Sequence, residues 1–229
     1  MTRVFLPILV VLSIAAACAQ EVSVHVRGGD RPANPDYLVL STGVDVDRFQ
    51  VVMRGVRLQS QPTDGGVDSP GAVRIGPGPY LVDLSDSGLN GGAFTELIDN
   101  YSIGAKGFYE MDIDLVPVSP EDVAQTPALA PMLGKTFVIT GRNQQGVPFT
   151  FDSSMTHVLA RQSVFRMGMN HNNLDVNVAP NTWFVNPDGG FIDPTTSDPA
   201  LRAIIETNVA ASIDAYEDDN MDGKPDPLG

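Results

Sequence analysis

The stretch FYEMDIDLV at 108–116 alternates apolar and acidic residues. Successive side chains on a strand point to opposite faces, so this segment suits a strand with one dry side and lacks the stripe a helix needs. Tyr109, Met111, Ile113 and Leu115 fall on one face, and Glu110, Asp112 and Asp114 on the other. The expectation is an antiparallel strand with its acids in water. Acids at period two are also an arrangement that a cation ladder would use.

Other segments repeat the pattern. VSVHVR at 22–27 places Val22, Val24 and Val26 opposite Ser23, His25 and Arg27. The long run at 44–60 keeps Phe49, Val51 and Met53 on one face, and Gly55 reads as a bulge before Val56 and Leu58 resume. YLVDLS at 80–85 is a short strand. A hairpin turns at Gln145-Gly146, with Phe137 and Ile139 going out and Val147, Phe149 and Phe151 coming back. MTHVLA, SVFRMGM and NLDVNVA are further strands. With 22 glycines and 18 prolines between them, these segments predict a mainly β chain folded as an antiparallel β-sandwich. Loops are expected at 61–79 and, with a short helical turn, at 117–134.

One amphipathic α-helix is expected near the C-terminus. Asp198 suits its N-cap and Pro199 its first turn. Leu201, Ile204, Ile205, Val209, Ile213 and Tyr216 form its apolar stripe, which carries the helix to Glu217. Trp183 and Phe184, in the aromatic linker before it, are expected to plug the junction with the sandwich. The resulting division is a leader at 1–19, a β-sandwich at 20–180, linker and helix at 181–217, and an acidic candidate calcium loop at 218–229.

The leader has Arg3, an apolar run to Ile14 and then small residues, the layout of a secretory signal peptide. Ala15-Ala16-Ala17-Cys18 resembles a bacterial lipobox, with Ala15 where a branched residue is usual, while Ala17-Cys18-Ala19 also suits ordinary cleavage before Gln20. Either reading exports the chain, to the periplasm, the outer membrane as a lipoprotein, or the exterior. A lipid on Cys18 is the one membrane attachment expected. Cys18 is the only cysteine, so neither a disulfide nor a cysteine nucleophile is expected in the mature chain. The net charge of −14 disfavours nucleic acid and anionic lipid surfaces, and suits cations, basic partners or simple solubility.

The chain closes on DDNMDGKPDPLG. Asp218, Asn220, Asp222, Gly223 and Asp226 match the opening of an EF-hand calcium loop, with the carbonyl of Lys224 at the seventh position. The twelfth position, normally a bidentate Glu, falls on Gly229. With that ligand missing, affinity is expected on the order of 10⁻⁴–10⁻³ M. The run also resembles the calcium loops of thrombospondin type 3 repeats and dockerins, which implies a structural ion rather than a switch. Glu217, Asp218 and Asp219 at the negative end of the expected helix would favour a cation. The competing reading is a solvated acidic tail.

Met167, Met169 and His171 sit at period two, and Met155 and His157 repeat that spacing. Thioether plus imidazole is a soft donor set, so copper is an alternative cofactor, and core packing is the competing role. No G-x-S-x-G, phosphate-cradling loop or Ser-His-acid motif is present, so a noncatalytic protein is expected.

Taken together, FQVVMRGVRL, YLVDLS, FYEMDIDLV, TFVITG, NLDVNVAPNTWFVNPDGGFIDP and the DDNMDGKPD close make residues 21–226 resemble a group of uncharacterised exported bacterial domains with a transthyretin-like or immunoglobulin-like sandwich. The resemblance implies a cell-envelope protein with an unidentified protein or envelope partner. It carries no catalytic residues. A calcium-rigidified adhesion or matrix module is a further alternative.

Overall fold

The computed structural model describes residues 20–29, 38–63, 67–76, 78–89, 95–103, 107–166, 172–222 and 224–225. The leader with Cys18, the set Met167, Met169 and His171, and Gly223 and Asp226 of the closing loop lie outside the described residues.

In chain order the strands are β1 (Gln20–Gly28), β2 (Leu38–Val39), β3 (Asp45–Gln59), β4 (Val73–Ile75), β5 (Tyr80–Ser85), β6 (Thr95–Ile103), β7 (Gly107–Leu115), β8 (Phe137–Arg142), β9 (Pro148–Ser153), β10 (His157–Arg166), β11 (Asn172–Val178) and β12 (Ile213–Glu217). The helices are α1 (Asp86–Leu89), α2 (Pro120–Gln125) and α3 (Pro199–Ala211). The fold is mainly β, with two sheets and one substantial helix, as the alternation predicts. A four-stranded sheet runs β12-β11-β1-β6. An eight-stranded sheet runs β10-β7-β3-β8-β9, with β2, β4 and β5 also paired to β3. Pairing is antiparallel throughout the large sheet, and the small sheet has one parallel pair, β1 with β11.

β3 is the spine of the large sheet. Its first half carries β8 and β5, and its second half β7 and β4. The bulge expected at Gly55 is present: its φ is +59°, and the register with β7 shifts between Arg54 and Arg57. The extra residue restores Val56 and Leu58 to the buried face after Met53. Facing side chains of the two sheets form one core. Val24, Leu174, Val176 and Ile213 come from the small sheet, and Phe49, Val51, Met111 and Phe151 from the large one.

Trp183 and Phe184 plug the junction as expected, both fully buried. The Trp183 ring lies 4.8 Å from that of Phe49, and its indole N–H donates to Ser212 Oγ at 2.7 Å. Asp198 caps α3 by accepting from the Ala200 N–H at 2.8 Å. Ile205 and Val209 of α3 enter the core. Ser153 Oγ donates to Glu206, and Arg202 donates to the Asp152 carbonyl, fastening α3 to the end of β9.

Several expectations are corrected. The helix stops at Ala211, and 213–217 is the edge strand β12. The Ser212 N–H closes the last turn on Asn208 and Val209, and its hydroxyl is held by Val209 and Trp183, so the chain leaves the helical path there. Ile213 and Tyr216 fit a helical stripe by spacing, yet they are buried through the sheet. The 61–79 loop contains β4. β6 was not legible, because its buried residues Ile98 and Ile103 stand five apart and Asn100 takes a φ of +48°. Pairing with β1, not periodicity, makes it a strand.

The acids of β7 are the largest correction. Glu110 and Asp112 are fully buried, not in water. Arg57 and Gln59 of β3, and Thr63 just after it, supply the donors. Thr63 gives Glu110 its N–H at 3.0 Å and its hydroxyl at 2.5 Å. Gln59 gives Asp112 its amide at 2.7 Å and is itself fixed by Ser69. Arg57 forks onto Asp114 at 2.6 and 2.7 Å and lies 3.6 Å from Asp112. At the other end of β7, Tyr109 is half exposed and Phe108 is buried in its place, opposite an irregularity in β10 between Gln162 and Phe165.

Candidate metal centre

The closing loop grows from an edge strand, so the helix-entry argument for a cation does not hold. The negative end of α3 is met by Arg161, whose guanidinium donates to the carbonyls of Ala210 at 2.8 Å and Ile213 at 2.6 Å. What holds the loop is β11. The Asp218 N–H donates to the Asn173 carbonyl at 2.9 Å. Asn173 returns its own N–H to Asp219 Oδ1 at 3.0 Å and its amide to the Asp219 carbonyl at 3.3 Å.

From that anchor the loop winds on its own acids. The Asp222 N–H donates to Asp218 Oδ1 at 3.0 Å and to Asn220 Oδ1 at 2.8 Å. The Lys224 N–H donates to Asp222 Oδ1 at 3.0 Å. Met221 turns the backbone with a φ of +56°. Asp218 is fully buried, while Asn220, Asp222 and Lys224 are exposed. Of the predicted ligands, Asp218, Asn220, Asp222 and Lys224 therefore share one tight turn, and Asp226 is the one outside the described residues. Among the described residues no three His, Cys, Asp or Glu side chains form a ready metal cluster. A cation here would also use the Asn220 amide oxygen, the Lys224 carbonyl and water.

One further acid reaches this place from β11. Asp175 stands in register with His25 of β1 on one side and Tyr216 of β12 on the other. Its neighbours Leu174 and Val176 point into the core, so its carboxyl lies on the opposite face of the small sheet. It is fully buried there, as is Asp218, and the two carboxyls face each other. His25 Nδ1 is 4.0 Å from Asp175 Oδ1. Burial, then the Asp218 carboxyl, pushes the Asp175 pKa up to about 8, with Arg27 opposing. Burial and the Asp175 charge push the Tyr216 hydroxyl up to about 12. In sequence Asp175 is only one of the two polar members, with Asn177, of an alternating LDVNV. No local signal separates it from a solvated strand residue, because its burial and its partner depend on how β12 pairs.

The acids of β7 are engaged by Arg57, Gln59 and Thr63 as described. Met155 and His157 line an open cleft of about 260 Å³ with Arg161, Thr207, Ala210 and Ala211. Burial, aided by the Arg161 charge, lowers the His157 pKa. Comparison of the chain with family models, with curated proteins and with solved structures finds no match.

Proposed function

We propose that this chain is a noncatalytic, exported cell-envelope β-sandwich whose C-terminal loop binds calcium and so pins the chain end to the small sheet. The observation that carries this reading is the turn in which side-chain oxygens of Asp218, Asn220 and Asp222 curl around one stretch of backbone, with Asp218 buried. Hard oxygens at alternate positions of a flexible loop are what calcium selects. The leader layout supports export, where calcium is abundant enough for a weak site. The charge of −14 supports affinity for cations over nucleic acid.

The test is a melting scan with and without calcium. At a dissociation constant of about 10⁻⁴–10⁻³ M, 10 mM calcium stabilises the fold by about 1.4–2.7 kcal/mol. For a domain of this size that raises the Tm by roughly 3–10 °C. Asp222→Ala should abolish the rise. A wild-type Tm indifferent to calcium would overturn the reading.

A further inference from the structure

We infer that Asp175 of β11 is an additional oxygen ligand of the loop's cation, supplying from a neighbouring strand what the loop lacks at its twelfth position. The inference rests on the calcium reading above and concerns how that site is completed.

The loop acids alone would leave the assignment open, because Asn220 and Asp222 are exposed and hydrogen-bonded within the turn. Asp175 is different. Its side chain is fully buried, and among the described residues neither of its carboxylate oxygens accepts a hydrogen bond. It faces Asp218, which is itself fully buried. Close to it are also His25 and Arg27 from β1, and Tyr216 from β12. His25 stands 4.0 Å away, beyond hydrogen-bonding range.

A buried carboxylate without donors is costly, and a second carboxylate facing it adds to the cost. The acids of β7 show the usual solution in this same molecule, since Arg57, Gln59 and Thr63 supply donors there. Among the described residues no equivalent set of donors reaches Asp175. A divalent cation between Asp175 and Asp218 offsets both charges together. It also brings the protein oxygens toward the six to eight that calcium takes, with Asp175, Asp218, Asn220, Asp222 and the Lys224 carbonyl contributing. The strand pairing makes the placement rigid: Leu174 pairs with Glu217 and Asp175 with Tyr216, so the start of the loop is held against β11.

The experiment compares wild type, Asp175→Asn and Asp222→Ala by calcium titration calorimetry. Terbium(III) luminescence lifetimes in H₂O and D₂O then count the waters on the bound ion. Asp175→Asn keeps the shape and removes the carboxyl that burial and Asp218 oppose, so the metal-free variant should melt at or above the wild-type temperature. It should bind calcium at least about tenfold more weakly, and terbium should hold about one more water, since water replaces a lost carboxylate oxygen. Asp222→Ala should lose binding. Wild-type binding with an unchanged Asp175→Asn affinity would overturn the inference and leave the loop reading standing. So would weaker binding with an unchanged water count, because that marks a distant charge rather than a ligand. A shared proton between Asp175 and Asp218 in place of a metal predicts no wild-type binding at all, and that result would sink both readings. If Asp175→Asn fails to fold, Asp175→Ser under the same lifetimes decides the question by the same criterion.

Discussion

Asp122 shows how much one residue can do and how little of it is local. It sits at the third position of α2 and completes a reciprocal cap with Ser119. The Ser119 N–H donates to Asp122 Oδ2 at 2.8 Å, and Ser119 Oγ accepts from the Asp122 N–H at 3.2 Å. Arg54 of β3 donates to the same carboxylate at 2.5 Å. The Arg54 guanidinium, with the Ser119 donors, holds the Asp122 pKa down at about 2. A depressed folded-state value stabilises the protein above the ordinary carboxylate range and loses that contribution as pH falls through about 2. Asp122→Asn is therefore expected to cost about 2 kcal/mol at pH 7, and the gap to wild type should close on acidification toward pH 2. Urea unfolding at both pH values measures it. The S-x-x-D spacing of Ser119 and Asp122 is legible in sequence. Arg54, 68 positions away, is not.

At the scale of elements, β3 and β7 depend on the irregularity at Gly55. Its positive φ is one that side chains with a Cβ rarely adopt, and an added Cβ would sit 3.1 Å from Asp114 Oδ2. Asp114 is the carboxylate on which Arg57 forks. Gly55→Val is expected to destabilise by about 2 kcal/mol or more, combining left-handed strain with displacement of that pair. Gly55→Ala should cost less. Equilibrium denaturation of both variants checks the order, and a Gly55→Val protein as stable as wild type would contradict it. The bulge was readable because alternation fails at one glycine and resumes. The burial of Glu110 and Asp112 was not, since a strand's second face is wet or dry according to what folds over it. Here Thr63 and Ser69 close it, Thr63 on Glu110 and Ser69 through Gln59. β12 failed to read as a strand for a related reason. Ile213 and Tyr216, three apart, fit a helical stripe equally well, and only the edge of β11 decides for the sheet.

At the scale of the molecule, β12 is the edge of the small sheet rather than the end of a helix, and Asp218 and Asp219 after it are hydrogen-bonded to Asn173 of β11. Removing residues 213–229 should expose the edge of β11 and the core beneath Ile213 and Ala215. It should lower the Tm of the whole domain in one cooperative transition, because both sheets share one core. Ending the chain after Asp219 should leave the metal-free Tm within a few degrees of wild type while removing the calcium response. Calorimetry of the two truncations separates structural from ion-binding contributions. The sequence by itself determined the sandwich class, the long bulged strand, the hairpin, the start of α3 and the ligand-like spacing of Asp218, Asn220 and Asp222. These are carried by periodicity, caps and turn residues within a few positions of one another. Only the tertiary structure decided that β12 is a strand, that the acids of β7 are dry, and that Asp175 meets Asp218. Each of these depends on which surface another segment covers, and pairing between segments far apart in the chain leaves no trace in local spacing.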